Sequence, residues 1–196
     1  MNRVVDYGER LFMFLLALPW LWAFSKAAPS HPRVILLMIS EMMTVFIILC
    51  RKPGEIALTP YAIIIGFLGT AFPLLARPIG AINPNSLSAA IMLVGVALSL
   101  SGKIALNRRF GLVAANRGIQ VRGPYALVRH PIYAGYLMTQ VGFLIGNPAL
   151  WNIAAYSLAF GFQILRIFEE EKLLSRDAAY RAFADKVRYR LIPGVF

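Results

Sequence analysis

Residues 123–135 read GPYALVRHPIYAG, and this stretch, set between apolar runs on either side, decides how the chain is read. It brings an arginine, a histidine, two prolines and two tyrosines into a hydrophobic sequence. Prolines 124 and 131 push Gly123 and His130 out of helical backbone, so the stretch forms a shaped turn that leads into a helix. With lipid-compatible segments around it, such an insert belongs where water meets hydrocarbon, a place suited to holding a polar cofactor against a lipophilic substrate.

The composition agrees. The chain has 196 residues, of which 59% are hydrophobic and 15% charged, and its mean hydropathy is positive, far from the soluble average. These values predict one integral membrane domain whose length is mostly spent on spans of about 20 residues each. The net charge of +11 lies beside hydrophobic runs. It reads as membrane topology and headgroup attraction, with membrane lipids as partners and no nucleic acid. Cys50 is the only cysteine, so no intrachain disulfide and no metal cluster is expected. No small-residue cleavage site follows the first apolar run, which is therefore read as a retained helix.

Six apolar segments are expected, at residues 11–24, 34–50, 61–76, 87–106, 132–145 and 148–167. Turn chemistry separates them at Pro29 to Pro32, Lys52-Pro53-Gly54, Arg77-Pro78, Asn83-Pro84-Asn85 and Gly146-Asn147-Pro148. At the last of these, Asn147 is predicted to cap a new helix with Pro148 at its first position, which would make the fifth and sixth segments a tight hairpin. Gly135, Gly142 and Gly146 are expected to let its two helices approach closely. The fifth segment covers only about 21 Å at 1.5 Å per residue, so five spans is the alternative. The fold class is thus all-α: a polytopic membrane helical bundle of five to six transmembrane helices. Residues 1–106 hold four spans, 107–131 a cytosolic connector, 132–168 the hairpin and 169–196 a cytosolic tail.

Basic residues favour six spans. That assignment puts every lysine and arginine except Lys26, Arg33 and Arg77 on one side, so the positive-inside rule predicts both termini in the cytoplasm. Trp20, Trp22 and Trp151 then fall toward the opposite interface as an aromatic belt. On the cytoplasmic side a tight hairpin would bring Arg129 and His130 beside Arg166 and Glu170, which share a helix face at a spacing of four. Glu169-Glu170-Glu171 is the one acidic cluster in the basic sequence.

The R-H-P-x-Y-x-G core at residues 129–135, the downstream R-x-x-x-E of Arg166 and Glu170, and the terminal YRLIPGVF resemble the isoprenylcysteine carboxyl methyltransferase family of integral membrane methyltransferases. The resemblance runs from about Arg117 to the C-terminus; before that the match is only in hydrophobicity. It implies S-adenosyl-L-methionine as cofactor, bound in a cytosolic pocket of the last helices and tail. Cofactor contacts are implied at Tyr125, His130, Pro131, Ile132, Tyr133 and Glu170, and a substrate-side, catalytic role at Arg166. The segment from Arg117 to Gln120 aligns with further cofactor contacts, although its residues depart from the family's.

The cofactor's chemistry suits several of these side chains. Arg129 offers a fork to its carboxylate. His130 can donate or accept. Tyr125 and Tyr133 present aromatic faces to the adenine or the sulfonium. Glu170 can accept from ribose hydroxyls or the ammonium, a reason for a carboxylate near lipid. The expected reaction is direct displacement at the sulfonium methyl, driven by alignment and exclusion of water. A carboxylate or thiolate acceptor needs no base, whereas an amine would use Glu170 or a neighbouring acid. Glu41, a carboxylate within the second segment, is expected to line the substrate tunnel, or else to hydrogen-bond a neighbouring helix.

An isoprenylcysteine-like carboxylate is the expected acceptor, with a phospholipid amine or a small thiol as alternatives. A reductase of the sterol-reductase type, using NADPH, is the competing reading from another class, and a non-catalytic membrane protein is a third. Few polar residues and no paired broken helices argue against transport.

Overall fold

The computed structural model describes residues 2–29, 34–52, 54–79 and 85–196. The turns expected at Pro32, Pro53 and Asn83-Pro84, together with Arg33, lie outside them. The described chain is mostly helical, with seven α-helices among the described residues: α1 (Asn2–Ala27), α2 (Val34–Leu49), α3 (Pro60–Ala71), α4 (Ser86–Leu106), α5 (Pro131–Gly146), α6 (Leu150–Leu174) and α7 (Ala178–Lys186). The six apolar segments correspond to α1–α6. Among the described residues two helical stretches are long and apolar enough to cross a membrane, Val4–Ala27 and Ser86–Arg109; Ile35–Leu49 and Pro60–Leu75 are apolar but shorter.

Local chemistry fixes the ends. Thr59 accepts from the Ala62 amide to start α3, with Pro60 at its first position, and Asn85 accepts from Leu87 to start α4. Asp177 caps α7 through the Ala179 amide. This short tail helix buries Tyr180 and Phe183 against Tyr125, and no apolar run announced it. A two-residue antiparallel ladder, β1 (Glu55–Ile56) with β2 (Ala115–Asn116), joins the α2–α3 loop to the connector, a small departure from an all-α chain.

The expected hairpin is corrected in two respects. Asn147 does not cap α6: that helix starts after Ala149, and Asn147 instead ends α5. The Asn147 side-chain amide donates to Ile79 O at 2.7 Å, while Asn152 Nδ2 donates to both Asn147 Oδ1 and Arg77 O. Buried amides here stitch the α3–α4 loop to the α5–α6 turn, since each must find a partner away from water. The glycines of α5 also face another helix. A Cβ on Gly135 would meet Ser99 N at 2.5 Å and Gly95 O at 2.6 Å, and one on Gly142 would meet Met92 N at 2.7 Å. The dominant packing is therefore α5 on α4, sealed by Ser88 Oγ donating to Gly142 O. The main partner of α6 is α3.

Many large apolar side chains are exposed, while several polar ones are buried within an otherwise apolar core. Leu11, Phe14, Leu15, Ile39, Phe46, Leu93 and Leu158 face outward, whereas Glu9, Ser40, Thr44, Arg51, Ser99, Lys103, Asn152 and Gln163 are buried. Three bases assigned to the cytoplasmic side by charge counting are thus internal. Lys103 Nζ donates to Ser40 O and Oγ at 2.9 and 3.0 Å beneath the Tyr136 ring. Arg51 is clamped by Asp6 and Glu9 of α1, and Glu9 also accepts from the Leu112 amide. Arg166 is the third. Trp20 is likewise not in an interfacial belt: it is buried and stacked on Phe24, while Trp22 and Trp151 are exposed.

The close approach of α4 and α5 yields a test with an internal control. Gly135→Ala forces a methyl into backbone and should destabilise the detergent-solubilised protein by about 1–3 kcal/mol. Gly161→Ala, whose Cβ meets nothing within 4 Å, should be neutral or stabilise by up to about 1 kcal/mol, read by thermal unfolding.

Candidate functional site

The turn at residues 123–130 and the end of α6 meet, and the C-terminal tail locks them together. Arg129 N donates to Tyr189 O at 2.9 Å and His130 N to Arg190 O at 2.8 Å, so the tail runs alongside the entrance of α5. The tail's own end is closed by Leu191 N and Ile192 N donating to Phe196 O. Arg190 lies over the rings of Phe168 and Phe196, and its Nε donates to Glu171 Oε2 at 2.8 Å.

Glu171 is the hub of this junction. Its Oε1 lies 3.2 Å from His130 Nε2 and 3.3 Å from Arg129 Nε. Burial pushes the Glu171 pKa up, but the hydrogen bonds and charges of His130, Arg190 and Arg129 outweigh it and hold the carboxyl at about 2, against an ordinary 4.5. Sequence reasoning chose Glu170 and missed Glu171. The i,i+4 spacing that singled out Glu170 reports neighbours on one helix and says nothing of partners arriving from the tail.

Glu170 faces a cavity instead. It accepts from the Tyr133 hydroxyl at 2.5 Å, and its carboxylate lies 3.7 Å from His130 Nδ1 and 3.8 Å from Arg166 Nη2. The cavity encloses about 760 Å³ including its open mouth. The connector, α5 and α6 supply Gln120, Tyr125, Arg129, His130, Ile132, Tyr133 and Glu170 to its wall, and Arg117, Tyr180 and Phe183 complete it. Pro131 is not on this wall; it is fully buried as the first residue of α5, where its missing N–H costs nothing. Arg129 reaches the wall with its guanidinium already engaged by Glu171 and Arg188 O.

Two groups on this wall are polarised by their surroundings. Burial, and then the charge of Glu170, raises the Tyr125 pKa far above its ordinary value, so the phenol keeps its proton. Burial, and then the neighbouring Arg51, lowers Arg117 to about 10 despite Glu9, Asp6 and Glu170. Arg117 Nε donates to Lys52 O, and its buried Nη2 has no partner among the described residues. Arg117 and Gln120, the two ends of the segment aligned with further cofactor contacts, both lie on this wall; Tyr180, on the unexpected α7, was not foreseen there.

Arg166 and Glu41 line a second cavity of about 690 Å³, its open mouth included, among α1, α2, α3, α5 and α6. Gly69 of α3 makes room for the Arg166 side chain, since a Cβ there would meet its Cδ at 2.8 Å. The guanidinium reaches Thr70 Oγ1 and Gly111 O, both at 3.4 Å, and lies 5.3 Å from the centre of the Tyr133 ring. Its Nε has no partner among the described residues. Phe110 borders both cavities. The partition between them is thus Tyr133, Glu170, Arg166 and Phe110. The interhelical hydrogen bond considered for Glu41 is not made to any described residue; the side chain lines the cavity.

Compared with protein-family models, characterised proteins and solved structures, the chain matches none.

The low Glu171 pKa sets an acid limit on the junction. A carboxyl whose folded pKa lies below its unfolded one stabilises the fold above the unfolded value, and that stability is lost as pH falls through the folded one. Between pH 4.5 and about 2, the detergent-solubilised protein should lose up to about 3 kcal/mol from this group, at 1.36 kcal/mol per unit. Unfolding of Glu171→Gln followed across that window should lack this component.

Proposed function

We propose that this chain is a multi-pass membrane methyltransferase that uses S-adenosyl-L-methionine to methylate a lipophilic acceptor. The observation that carries the reading is the pair of cavities that share Phe110 and are parted by Tyr133, Glu170 and Arg166, one beside the connector and tail, the other among the helices of an apolar-faced bundle. The outward apolar faces of α1, α2, α4 and α6, with polar groups turned inward, support immersion of helices beyond the two of full spanning length. The basic connector and tail support a cytoplasmic location for the open cavity and for both termini.

The open cavity's donor set fits the cofactor. A zwitterionic, hydroxyl-bearing aromatic ligand needs a cation, a carboxylate and aromatic faces together, and Arg117, Glu170, Tyr125 and Tyr133 provide them on one wall. The unpartnered Arg117 Nη2 is a buried donor that an anionic group would satisfy. Glu170 would hold the ammonium or ribose hydroxyls, and His130, steadied by Glu171, would orient the ligand near Ile132. The bound cofactor supplies an electrophilic methyl group. Arg166 would hold the acceptor group in line from the other cavity, a positioning role of the kind that makes effective molarity large. A carboxylate acceptor matches Arg166 best, and Glu170 would take a proton only if the acceptor were an amine.

The test uses the purified full chain in detergent with radiolabelled S-adenosylmethionine and either prenylcysteine analogues or membrane lipids. Label that enters the prenylcysteine and is released by base as a volatile product is expected, together with thermal stabilisation by S-adenosylhomocysteine. Arg166→Leu and Glu170→Gln should each lower turnover about a hundredfold or more. Stabilisation by NADPH but not by S-adenosylhomocysteine would replace this reading with a reductase. Base-stable label would move the acceptor to an amine or thiol.

A further inference from the structure

The outer side of α6 carries one apolar stripe. Leu150, Ala154, Leu158, Gly161, Leu165 and Phe168 are all exposed and recur at spacings of three and four, which keeps them on one side of the helix. The next position on the stripe is Lys172, whose side chain is 70% exposed and whose one partner among the described residues is Glu169, at 3.5 Å. An apolar face that ends in an exposed base marks where a helix leaves lipid.

The tail docks at this end of the stripe. Phe196 meets the Phe168 ring edge-on with centroids 6.2 Å apart, and the Arg190 guanidinium lies over both rings. Leu191 packs in one buried cluster with Tyr133, Ala134 and Ile167, so the terminal turn is held from behind. Val195 N donates to Ile192 O at 3.1 Å across Pro193 and Gly194, and Gly194 has φ +83°, the left-handed conformation that a type II turn asks of its third residue. The two large side chains of this turn point away from the core: Ile192 is 44% and Val195 78% exposed. Singly exposed apolar residues need no explanation, but these stand on a turn seated against the apolar face of α6. Arg188, two residues before Arg190 and so within about 7 Å of it along the chain, is also exposed, and its side chain has no partner among the described residues.

We propose that this turn anchors the tail in the membrane interface: Ile192 and Val195 enter the leaflet around α6, and Lys172 and Arg188 hold the phosphate of an anionic phospholipid. Apolar insertion and basic attraction bind weakly apart and firmly together. The charge decides the partner, because two exposed bases beside an apolar tip match an anionic headgroup and gain nothing from a cationic surface. Lipid contact then bears on the first cavity, since the same tail carries Arg190 to Glu171. The inference rests on the immersion of α6 proposed above and is independent of methyl transfer.

The test uses the full chain with Cys50→Ser, so that one introduced cysteine carries a bimane fluorophore. The protein is placed in vesicles that bear a nitroxide on either phosphatidylcholine or phosphatidylglycerol, at equal mole fraction. Leu158→Cys reports on the face of α6 and Val195→Cys on the turn. Both labels should be quenched by the lipid-borne nitroxide and shielded from a neutral water-soluble one. A base near an anionic surface favours it about fivefold, so at Val195 the phosphatidylglycerol nitroxide should quench at least about twofold more strongly. That excess should vanish in Lys172→Gln with Arg188→Gln, two exposed positions outside both cavities, and at about 1 M salt. With Leu158 quenched, a Val195 label open to the water-soluble nitroxide, one shielded from both as by a second copy of the chain, equal quenching by the two lipids, or an excess untouched by the double variant would each overturn the inference and leave the immersion of α6 standing. A Leu158 label that lipid does not quench would overturn both.

Discussion

A single carboxylate, Glu171, gathers three side chains from two directions: His130 and Arg129 from the approach to α5, and Arg190 from the tail. Everything that shapes the open cavity leans on that arrangement. It fixes where the tail runs, and the tail's backbone then receives the amides of Arg129 and His130 just before α5 begins. With His130 anchored on one side by Glu171, its other nitrogen is turned toward Glu170, which in turn takes the Tyr133 hydroxyl. Adjacent acids on one helix therefore have separate duties. Glu171 binds structure, and Glu170 is left facing space.

The helical frame explains why that junction can sit at the head of a bundle with polar cavities inside it. Glycine seams bring α4 and α5 almost into backbone contact, which leaves room elsewhere for side chains of real bulk. Arg166 uses such room beside Gly69, and so reaches the partition between the two cavities. Charged groups farther from the site are met locally: Arg51 is paired with Asp6 and Glu9, and the Lys103 ammonium is hydrogen-bonded by Ser40. Burying an ion is tolerable when its partners come with it. These pairings also reduce the weight of charge counting, because internal bases carry no information about the side of a membrane.

The helices were legible because long apolar runs broken by proline and asparagine are strong local signals. The approach of His130 to Glu170 also followed from where those runs end. What was illegible depended on contacts between distant segments. The glycines of α5 announced a close approach but not its partner, which is α4 and not α6. Asn147 looked like a helix cap, yet its side chain is drawn to Ile79 and Asn152 by buried groups that no local pattern displays. Glu171 and Tyr180 escaped for the same reason: each gains its importance from a segment remote in sequence. The amphipathic α7 was hidden because only Tyr180 and Phe183 of its short span are buried.

The central claim is that the tail belongs to the site because Arg190 acts through Glu171. A double-mutant cycle on S-adenosylhomocysteine affinity, using Arg190→Gln, Glu171→Gln and the pair in the full chain, measures this directly. The account predicts that each single change weakens binding about tenfold or more, and that the pair weakens it little further, as for two ends of one interaction. Losses that simply multiply, or a wild-type chain that does not bind S-adenosylhomocysteine at all, would contradict it.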